Sequence, residues 1–223
     1  MCGIVAYLGH RQALPVIIKG LKRLEYRGYD SSGVAVMEDD VRIFKKKGKV
    51  AELESHISDI PLRSTVGMGH TRWATHGGPS DRNAHPHHNA DKSLAIVHNG
   101  IIENYGSLRE ELERKGHVFE SETDSEVLIH FIDEIRTSHE CPLEEAVRIA
   151  LSKVIGAYAI VILSSGDPDM IIAARKSSPL VIGVGDQEYF LASDATPIVE
   201  YTHEVIYLKD SEMILIHKGG FQI

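Results

Sequence analysis

The chain has 223 residues, of which 43% are hydrophobic and 25% are charged, a composition typical of a globular protein with a well-buried core. Its net charge of −8 argues against nucleic acid or an anionic membrane surface as a main partner. No apolar run reaches the roughly 18 residues of a membrane span, and residues 1–10 lack the regions of a signal peptide. The only cysteines, Cys2 and Cys141, are far apart, so we expect no disulfide scaffold and predict a cytoplasmic location.

The first half of the chain combines several strand patterns with one helix pattern. The apolar run 3–8 predicts a strand, and residues 14–24 repeat apolar side chains at helical spacing around Pro15. Further strands are predicted at residues 33–37, 41–44, 67–75 and 94–98. Residues 25–33 predict a functional loop, and residues 76–92 predict a long loop of the kind that is usually functional or disordered.

The second half begins with three helix patterns and continues with strands. Apolar spacing predicts helices over residues 101–112, 127–135 and 143–154, and Thr123-Asp124-Ser125-Glu126 has the pattern of a capping box before the second. Short turns separate the strands predicted at residues 157–163, 170–174, 180–184, 189–192, 205–208 and 213–216. Because short turns favour antiparallel pairing, we predict one α+β domain with two sheets.

The chain starts with Met1-Cys2, which places a thiol next to the N-terminus. If the initiator methionine is removed, Cys2 carries both a thiol and a free α-amine. Their unperturbed pKa values are about 8.5 and about 7.7–8.0, so the amine can serve as the base that generates the thiolate. The alternative is that Cys2 is a small buried residue at the start of a strand, as many free cysteines are.

Histidine is concentrated in one part of the chain: six of the 13 histidines lie between residues 70 and 98. A metal site is therefore a possible interpretation. The segment lacks the His-Glu-x-x-His spacing of a helical zinc site and has no cysteine nearby. We expect hydrogen-bonding histidines and no metal here, and a metal-dependent hydrolase remains the alternative.

Asn99-Gly100 follows the predicted strand 94–98. This dipeptide is a strong hairpin signal, but residues from Glu103 onward follow a helix pattern, so a second strand is not expected. A strand that ends at Asn-Gly before a helix exposes an amide side chain and a backbone N–H together, and these are the donors of an oxyanion hole. Arg72 and Asp124, considered singly, also fit ordinary roles as a surface ion-pair partner and an acidic residue at a helix N-terminus.

Taken together, these segments resemble the class II (N-terminal nucleophile) glutamine amidotransferases over the full length of the chain. The start Met1-Cys2-Gly3-Ile4-Val5 is similar to that of the whole class. Five further segments are similar to one branch, the isomerising glutamine–fructose-6-phosphate aminotransferases: residues 23–33, 70–77, 83–87, 98–104 and 121–124. The phosphoribosylpyrophosphate amidotransferases and asparagine synthetases carry His-Arg-Gly-Gln-Asp or His-Arg-Gly-Pro-Asp where this chain has Tyr-Arg-Gly-Tyr-Asp at residues 26–30.

The resemblance implies a fold and a reaction. The fold is the four-layer αββα sandwich of the N-terminal nucleophile hydrolases, and the reaction is the hydrolysis of L-glutamine to L-glutamate and ammonia. Cys2 is then the nucleophile that forms a thioester, with its own α-amine as the general base. The Asn99 amide and the Gly100 N–H form the oxyanion hole. Arg72 binds the α-carboxylate of glutamine as a bidentate donor, and Asp124 pairs with its α-ammonium group.

The same resemblance implies supporting residues around the nucleophile. Thr75, His76 and His85 complete the substrate pocket, Trp73 lies by the exit for ammonia, and Arg27 supports the surroundings of Cys2. No cofactor is implied.

The enzymes of this branch continue into paired sugar-isomerase domains. On that basis, residues 1–223 are predicted to be the glutaminase domain alone. The isomerase domains, expected to be absent here, would use the ammonia to make D-glucosamine 6-phosphate from fructose 6-phosphate in hexosamine biosynthesis. The full-length enzyme is expected to be a homo-oligomer. A glutaminase domain of another class II amidotransferase and a non-catalytic binding domain are the remaining alternatives.

Overall fold

The computed structural model describes residues 2–75 and 77–223. The helices are α1 (Ala13–Leu24), α2 (Val50–Ile57), α3 (Tyr105–Arg114), α4 (Asp124–His139) and α5 (Leu143–Lys153). The strands are β1 (Gly3–Leu8), β2 (Ser31–Met37), β3 (Val41–Lys47), β4 (Val66–Arg72), β5 (His87–His88), β6 (Leu94–Ile102), β7 (Gly156–Ser164), β8 (Met170–Lys176), β9 (Val181–Gly185), β10 (Glu188–Ala192), β11 (Val205–Tyr207), β12 (Glu212–His217) and β13 (Gly220–Gln222). In the described part of the chain, no helix has both the length and the apolar character that crossing a bilayer requires.

The strands form two antiparallel sheets. The seven-stranded sheet has the order β11-β9-β10-β1-β4-β2-β3, and the six-stranded sheet has the order β13-β12-β8-β7-β6-β5. Neighbouring strands such as β2 and β3 pair across short turns, as the turn pattern predicts. Because β1 pairs with both β10 and β4, the N-terminal strand lies in the interior of its sheet and is held on both edges.

Three apolar cores separate four layers of structure. One core fills the space between the two sheets. A second lies between the seven-stranded sheet and helices α1 and α2, and a third lies between the six-stranded sheet and helices α3, α4 and α5. The predicted α+β fold, a four-layer αββα sandwich, is therefore confirmed.

Strand alternation decides which side chains point into the layer between the sheets. In β1, Ile4 lies in the inter-sheet core, whereas Val5 packs under α1. Cys2 precedes Ile4 by two residues, so the same alternation directs its side chain to the inter-sheet side. In β6, Val97 lies in the inter-sheet core and Asn99 follows it by two residues. Two residues far apart in sequence therefore meet at one end of this layer.

β6 extends further than the sequence pattern indicates. Asn99-Gly100 lies within the strand, which pairs with β7 as far as Ile102, so the expected strand end at Asn-Gly is wrong. The helix expected to include Ile101 begins instead at Tyr105. The strand continues because residues 99–102 pair with β7, a tertiary contact with a segment much later in the chain.

Short elements also escaped the sequence patterns. The predicted loop 25–33 contains a 3-10 helix (Glu25–Arg27) and the first residues of β2. The eight-residue helix α2, which comes after β3, was not predicted either. Glu25 Oε1 accepts a hydrogen bond of 2.8 Å from the Val50 N–H in the first turn of this helix. β5 has two residues, lies within the predicted loop 76–92 and pairs with β6. Elements of this length depend on tertiary contacts more than on local periodicity.

Gly33 in β2 allows a loop to approach the sheet closely. A Cβ added at this position would lie 2.2 Å from the carbonyl oxygen of His85 and 2.8 Å from that of Phe44. Both atoms belong to the backbone, so neither can move away without displacing the chain. Glycine at this position therefore permits the His85 segment to lie against β2.

We expect Gly33→Ala to lower the free energy of unfolding by about 1–3 kcal/mol, the usual effect of forcing extra atoms into a packed interior. Gly106→Ala is the matched control, because its added Cβ meets nothing within 4 Å and the residue lies in α3. Alanine should stabilise that helix by about 0.5–1 kcal/mol. Urea unfolding measures both changes, and a Gly33→Ala variant as stable as the parent would contradict the close approach.

Candidate active site

A cavity of about 320 Å³ opens at the end of the inter-sheet layer where Cys2 and Asn99 meet. Side chains from both sheets and from the N-terminus of α4 line it. Within the described part of the chain, every site residue predicted from the sequence lines this cavity: Cys2, Arg27, Arg72, Trp73, Thr75, His85, Asn99, Gly100 and Asp124. The remaining predicted residue, His76, lies outside the described residues, as does Met1.

Cys2 is held by hydrogen bonds from distant parts of the chain. Its carbonyl oxygen accepts from Arg27 Nε at 3.0 Å and from Asn99 Nδ2 at 3.2 Å, and its Sγ accepts from the Trp73 N–H at 3.2 Å. Burial raises the pKa of the Cys2 thiol, and the Trp73 hydrogen bond opposes this only in part. The thiol is therefore protonated at neutral pH, and a base has to remove its proton before it can react as a thiolate.

The side chain of Asn99 is fixed at both of its polar atoms. Its Oδ1 lies 2.9 Å from His70 Nε2, and its Nδ2 donates to Ser193 Oγ at 2.9 Å as well as to the Cys2 carbonyl. Asn99 is only 6% exposed, so these contacts replace hydrogen bonds to water. The amide nitrogen is therefore held against the backbone carbonyl of Cys2.

β5 pairs with only part of one edge of β6. Beyond the end of β5, N–H groups on this edge of β6 donate to side chains instead of to a strand. The His98 N–H donates to His85 Nδ1 at 3.2 Å, and the Ile102 N–H donates to Asp124 Oδ2 at 2.8 Å. N–H groups on one edge of a strand belong to alternate residues. We infer that the Gly100 N–H lies between these two on the edge that faces the cavity.

Gly100 has a conformation that other residues rarely adopt. Its φ angle is +133°, and an added Cβ would lie 2.0 Å from the carbonyl oxygen of Ala157 in β7. Only glycine fits at this point without displacing the paired strand.

Two opposite charges line the cavity and are both buried. Arg72 ends β4, and its Nη2 donates to the Gly77 carbonyl at 2.9 Å while Nη1 lies 3.5 Å from that of Gly78. Asp124 is the first residue of α4, where the helix dipole favours a carboxylate. A guanidinium and a carboxylate in one small cavity are complementary to a zwitterion such as an amino acid.

The mouth of the cavity is aromatic on one side. Trp73 is 55% exposed and meets Tyr29 edge-on, with ring centroids 6.3 Å apart. Asp30 accepts a hydrogen bond from the Ala74 N–H, which anchors the turn that carries Trp73 and the exposed Thr75. The Trp73 side chain thus lines the cavity and is at the same time exposed to solvent.

Histidines form a buried cluster beside the cavity. His70 and His85 stack with centroids 4.2 Å apart, and His85 meets His87 edge-on at 4.7 Å. Burial lowers the pKa of His70 to about 3 and the pKa values of His85 and His87 well below their ordinary value, so these rings are neutral at neutral pH. Among residues 2–75 and 77–223, no three His, Cys, Asp or Glu side chains come close enough together to hold a metal ion.

The cavity also includes residues for which the sequence analysis predicts no role. Ser125 Oγ lies 2.9 Å from His98 Nδ1 and 3.3 Å from His85 Nε2, so it joins α4 to the histidine cluster. Its place in the capping-box motif predicts the start of a helix but gives no sign of this contact. Ser178 and Pro179 line the cavity from the connection between β8 and β9, where no motif marks them.

Comparison with known proteins identifies relatives of the whole chain. The family model described as "Glutamine amidotransferase domain" matches residues 70–200. Glutamine–fructose-6-phosphate aminotransferase (isomerizing) of Bacteroides thetaiotaomicron is 57% identical over 98% of this chain and 36% of its own length. The protein of the same name from Chlorobaculum tepidum is 55% identical over 100% of this chain and 37% of its own length. The chain thus spans little more than a third of the length of these relatives.

Solved structures share the architecture. The glutamine phosphoribosylpyrophosphate amidotransferase from B. subtilis, complexed with ADP and GMP, has a TM-score of 0.83 and 28% identity, and the match covers 99% of this chain and 48% of that one. A glutamine aminotransferase class-II domain protein from Silicibacter pomeroyi, at 17% identity and a TM-score of 0.64, shares the fold over 97% of its length. Because the family model covers more than half of the chain, including Arg72, Asn99, Gly100 and Asp124, the chain belongs to the glutamine amidotransferase domain family.

Proposed function

We propose that this chain hydrolyses L-glutamine to L-glutamate and ammonia through a thioester on Cys2. The observation that carries the proposal is a single cavity that holds a thiol, an amide that donates to the carbonyl oxygen of the same cysteine, and two opposite charges. The thiol and the donor fit attack on a carboxamide, and the charges fit the α-carboxylate and α-ammonium groups of an amino acid.

The first step requires removal of the thiol proton. Burial raises the pKa of the Cys2 thiol, so the reactive thiolate has to be generated in the site. The buried histidines beside the cavity are poor bases, because burial lowers the pKa of His70 to about 3 and that of His85 well below its usual value. We therefore assign the proton to the α-amine of Cys2, exposed once Met1 is removed. This amine returns the proton to the leaving ammonia, and water then cleaves the thioester to release glutamate.

The tetrahedral intermediate needs donors for its oxyanion. Asn99 Nδ2 donates to the Cys2 carbonyl at 3.2 Å, the longer of its two bonds, and it can share this hydrogen with an oxyanion that forms beside Cys2. The Gly100 N–H, on the cavity edge of β6, is the second proposed donor. Preorganised donors of this kind are commonly the largest single contribution to catalysis.

The remaining residues are proposed to position the substrate. Arg72 would bind the α-carboxylate and Asp124 the α-ammonium group. Thr75 and His85 would complete the pocket with His76, Trp73 would border the exit for ammonia, and Arg27 would hold the backbone of Cys2.

The role of the complete protein is a further part of the proposal. Since the relatives are named as isomerising glutamine–fructose-6-phosphate aminotransferases and this chain matches 36–37% of their length, we propose that residues 1–223 are the glutaminase domain of such an enzyme. Ammonia would then pass to isomerase domains and be used to make D-glucosamine 6-phosphate from fructose 6-phosphate. We further propose a homo-oligomer in the cytoplasm, where a catalytic thiol stays reduced.

Asn99→Ala should lower kcat by about 10²–10³-fold with little change in KM, because one oxyanion donor is lost while substrate contacts remain. Asn104→Ala is the control. Its amide bonds to Lys153 and Ile155 outside the cavity, so kcat should stay within about twofold of the parent value. Steady-state assay of glutamate release measures both, and an Asn99→Ala variant with parental kcat would remove Asn99 from the oxyanion hole.

Arg72→Ala and Asp124→Ala should each weaken glutamine binding, with a loss of about 2–5 kcal/mol in transition-state stabilisation measured as kcat/KM. Arg109→Ala removes a charge that pairs with Glu113 on α3, away from the cavity, and should leave kcat/KM unchanged. Simple amides without the α-groups should be poor substrates of the parent. Efficient hydrolysis of such an amide would show that Arg72 and Asp124 serve the structure and not substrate choice.

A form blocked at Met1, by a tag or by failed trimming, should fold normally but have no measurable glutaminase activity. The reason is that a retained methionine converts the α-amine of Cys2 into an amide nitrogen without a basic lone pair. Cleavage that exposes Cys2 should restore activity, and activity should rise as the pH passes the pKa of the amine, about 7.7–8.0 if unperturbed. The same preparation is assayed before and after release. Equal rates in the two samples would rule out the N-terminal amine as the base.

A further inference from the structure

The orientation of the Asn99 amide decides whether a donor or an acceptor faces Cys2. Rotating the amide by 180° would exchange Oδ1 and Nδ2 and direct an oxygen at the Cys2 carbonyl, which is itself an acceptor. The structure therefore needs something that favours one of the two orientations. The contact between Oδ1 and His70, which lies in the opposite sheet, favours one orientation.

His70 Nε2 has two neighbours that together fix its tautomer. It lies 3.1 Å from the carbonyl oxygen of His98 and 2.9 Å from Asn99 Oδ1. A backbone carbonyl can only accept a hydrogen bond, so Nε2 must carry the hydrogen. The other ring nitrogen, Nδ1, has no hydrogen-bond partner among the described residues, so moving the hydrogen there would bury an unpaired N–H and lose the bond to His98.

Once Nε2 of His70 is a donor, the Asn99 amide has only one satisfactory orientation. Its Oδ1 has to face His70, since a flipped amide would oppose N–H to N–H. Nδ2 is then directed to Ser193 Oγ and to Cys2. Ser193 Oγ also accepts from the Ile4 N–H at 2.7 Å. A hydroxyl oxygen has two acceptor lone pairs, so it can accept from Nδ2 as well.

The partners of Asn99 lie in, or directly next to, three adjacent strands of the seven-stranded sheet. His70 lies in β4, Cys2 precedes β1 and Ser193 follows β10, and these strands are neighbours in the order β10-β1-β4. Burial keeps the His70 ring neutral, with its pKa lowered to about 3, so the donor persists over the range in which the thiol reacts.

We propose that His70 is a positioning residue for the reaction: as the neutral Nε2–H tautomer fixed by the His98 carbonyl, it holds the Asn99 amide with its nitrogen toward Cys2. His70 acts only through Asn99 and touches no reacting atom. This inference rests on the proposed oxyanion role of Asn99.

A double-mutant cycle on the chain with Cys2 exposed tests the proposal. His70→Phe keeps a ring that can stack on His85 but offers no donor to Asn99. We expect kcat to fall about tenfold to hundredfold, with KM within about twofold of the parent value. This decrease is smaller than the roughly 10²–10³-fold decrease in kcat expected when Asn99→Ala removes the donor completely. In the Asn99→Ala background the same substitution should change kcat by less than about twofold, because the group it positions is already gone.

Each outcome of the cycle has one meaning. A His70→Phe loss that is fully retained in the Asn99→Ala background, or a His70→Phe variant with parental kcat, would overturn the positioning role alone. Parental kcat in Asn99→Ala would instead overturn the oxyanion role on which it rests. His70→Gln, whose amide can donate to Asn99 Oδ1, should recover part of the lost kcat. His130→Phe replaces another buried histidine, one on α4 outside the cavity, and should keep kcat within about twofold.

A spectroscopic measurement on the unsubstituted chain covers the case in which His70→Phe fails to fold. Nitrogen-15 NMR of the His70 ring distinguishes the two neutral tautomers directly. We expect Nε2–H at neutral pH and no change between about pH 5 and pH 8, the range in which ordinary histidines titrate. An Nδ1–H tautomer, or titration of His70 within this range, would overturn the inference regardless of the kinetics.

Discussion

Polar side chains buried between two sheets have to find hydrogen-bond partners there, because water is excluded from the layer. Most side chains between the two sheets of this chain are apolar and need no hydrogen-bond partner. At the end where β1 begins, however, His70, Arg72 and Asn99 are all buried. Satisfying them determines how this end is built: Asn99 of one sheet bonds to Cys2, His70 and Ser193 of the other, so the contacts that join the sheets also fix the surroundings of the thiol.

The short length of β5 also affects the site, because it leaves part of the edge of β6 without a strand partner. An edge strand exposes unpaired N–H groups, which proteins usually cover or shorten. Here the uncovered edge of β6 is bonded by the side chains of His85 and Asp124, and the Gly100 N–H lies between them. In the proposed mechanism, this edge of β6 would supply the backbone donor of the oxyanion hole from a strand rather than a loop.

Burial has opposite effects on the two kinds of titratable group around the cavity. It raises the pKa of the Cys2 thiol, which keeps the nucleophile protonated until a base acts. It lowers the pKa values of His70, His85 and His87, which makes them neutral and unsuited to act as that base. The histidines therefore contribute geometry, and the proposed mechanism draws its proton acceptor from the N-terminus, as a thiol on the second residue allows.

Features that depend on neighbours along the chain were predictable from local sequence patterns. Apolar runs bounded by turns identified most strands, and helical spacing identified α1, α4 and α5. The Thr123–Glu126 motif marked the start of α4, since the Thr123 hydroxyl accepts from the Glu126 N–H. Motifs at Cys2, Arg72, Asn99 and Asp124 resembled those of one family, and the family comparison agrees. Local patterns did not predict that Asn99-Gly100 lies within a strand, that α2 forms, or that Ser125, Ser178 and Pro179 line the cavity; folding determines these features. Folding also sets the tautomer of His70 and, through it, the orientation of Asn99. These features depend on partners that folding brings together, and local spacing carries no information about a strand, a carbonyl or a hydroxyl group contributed from elsewhere in the chain.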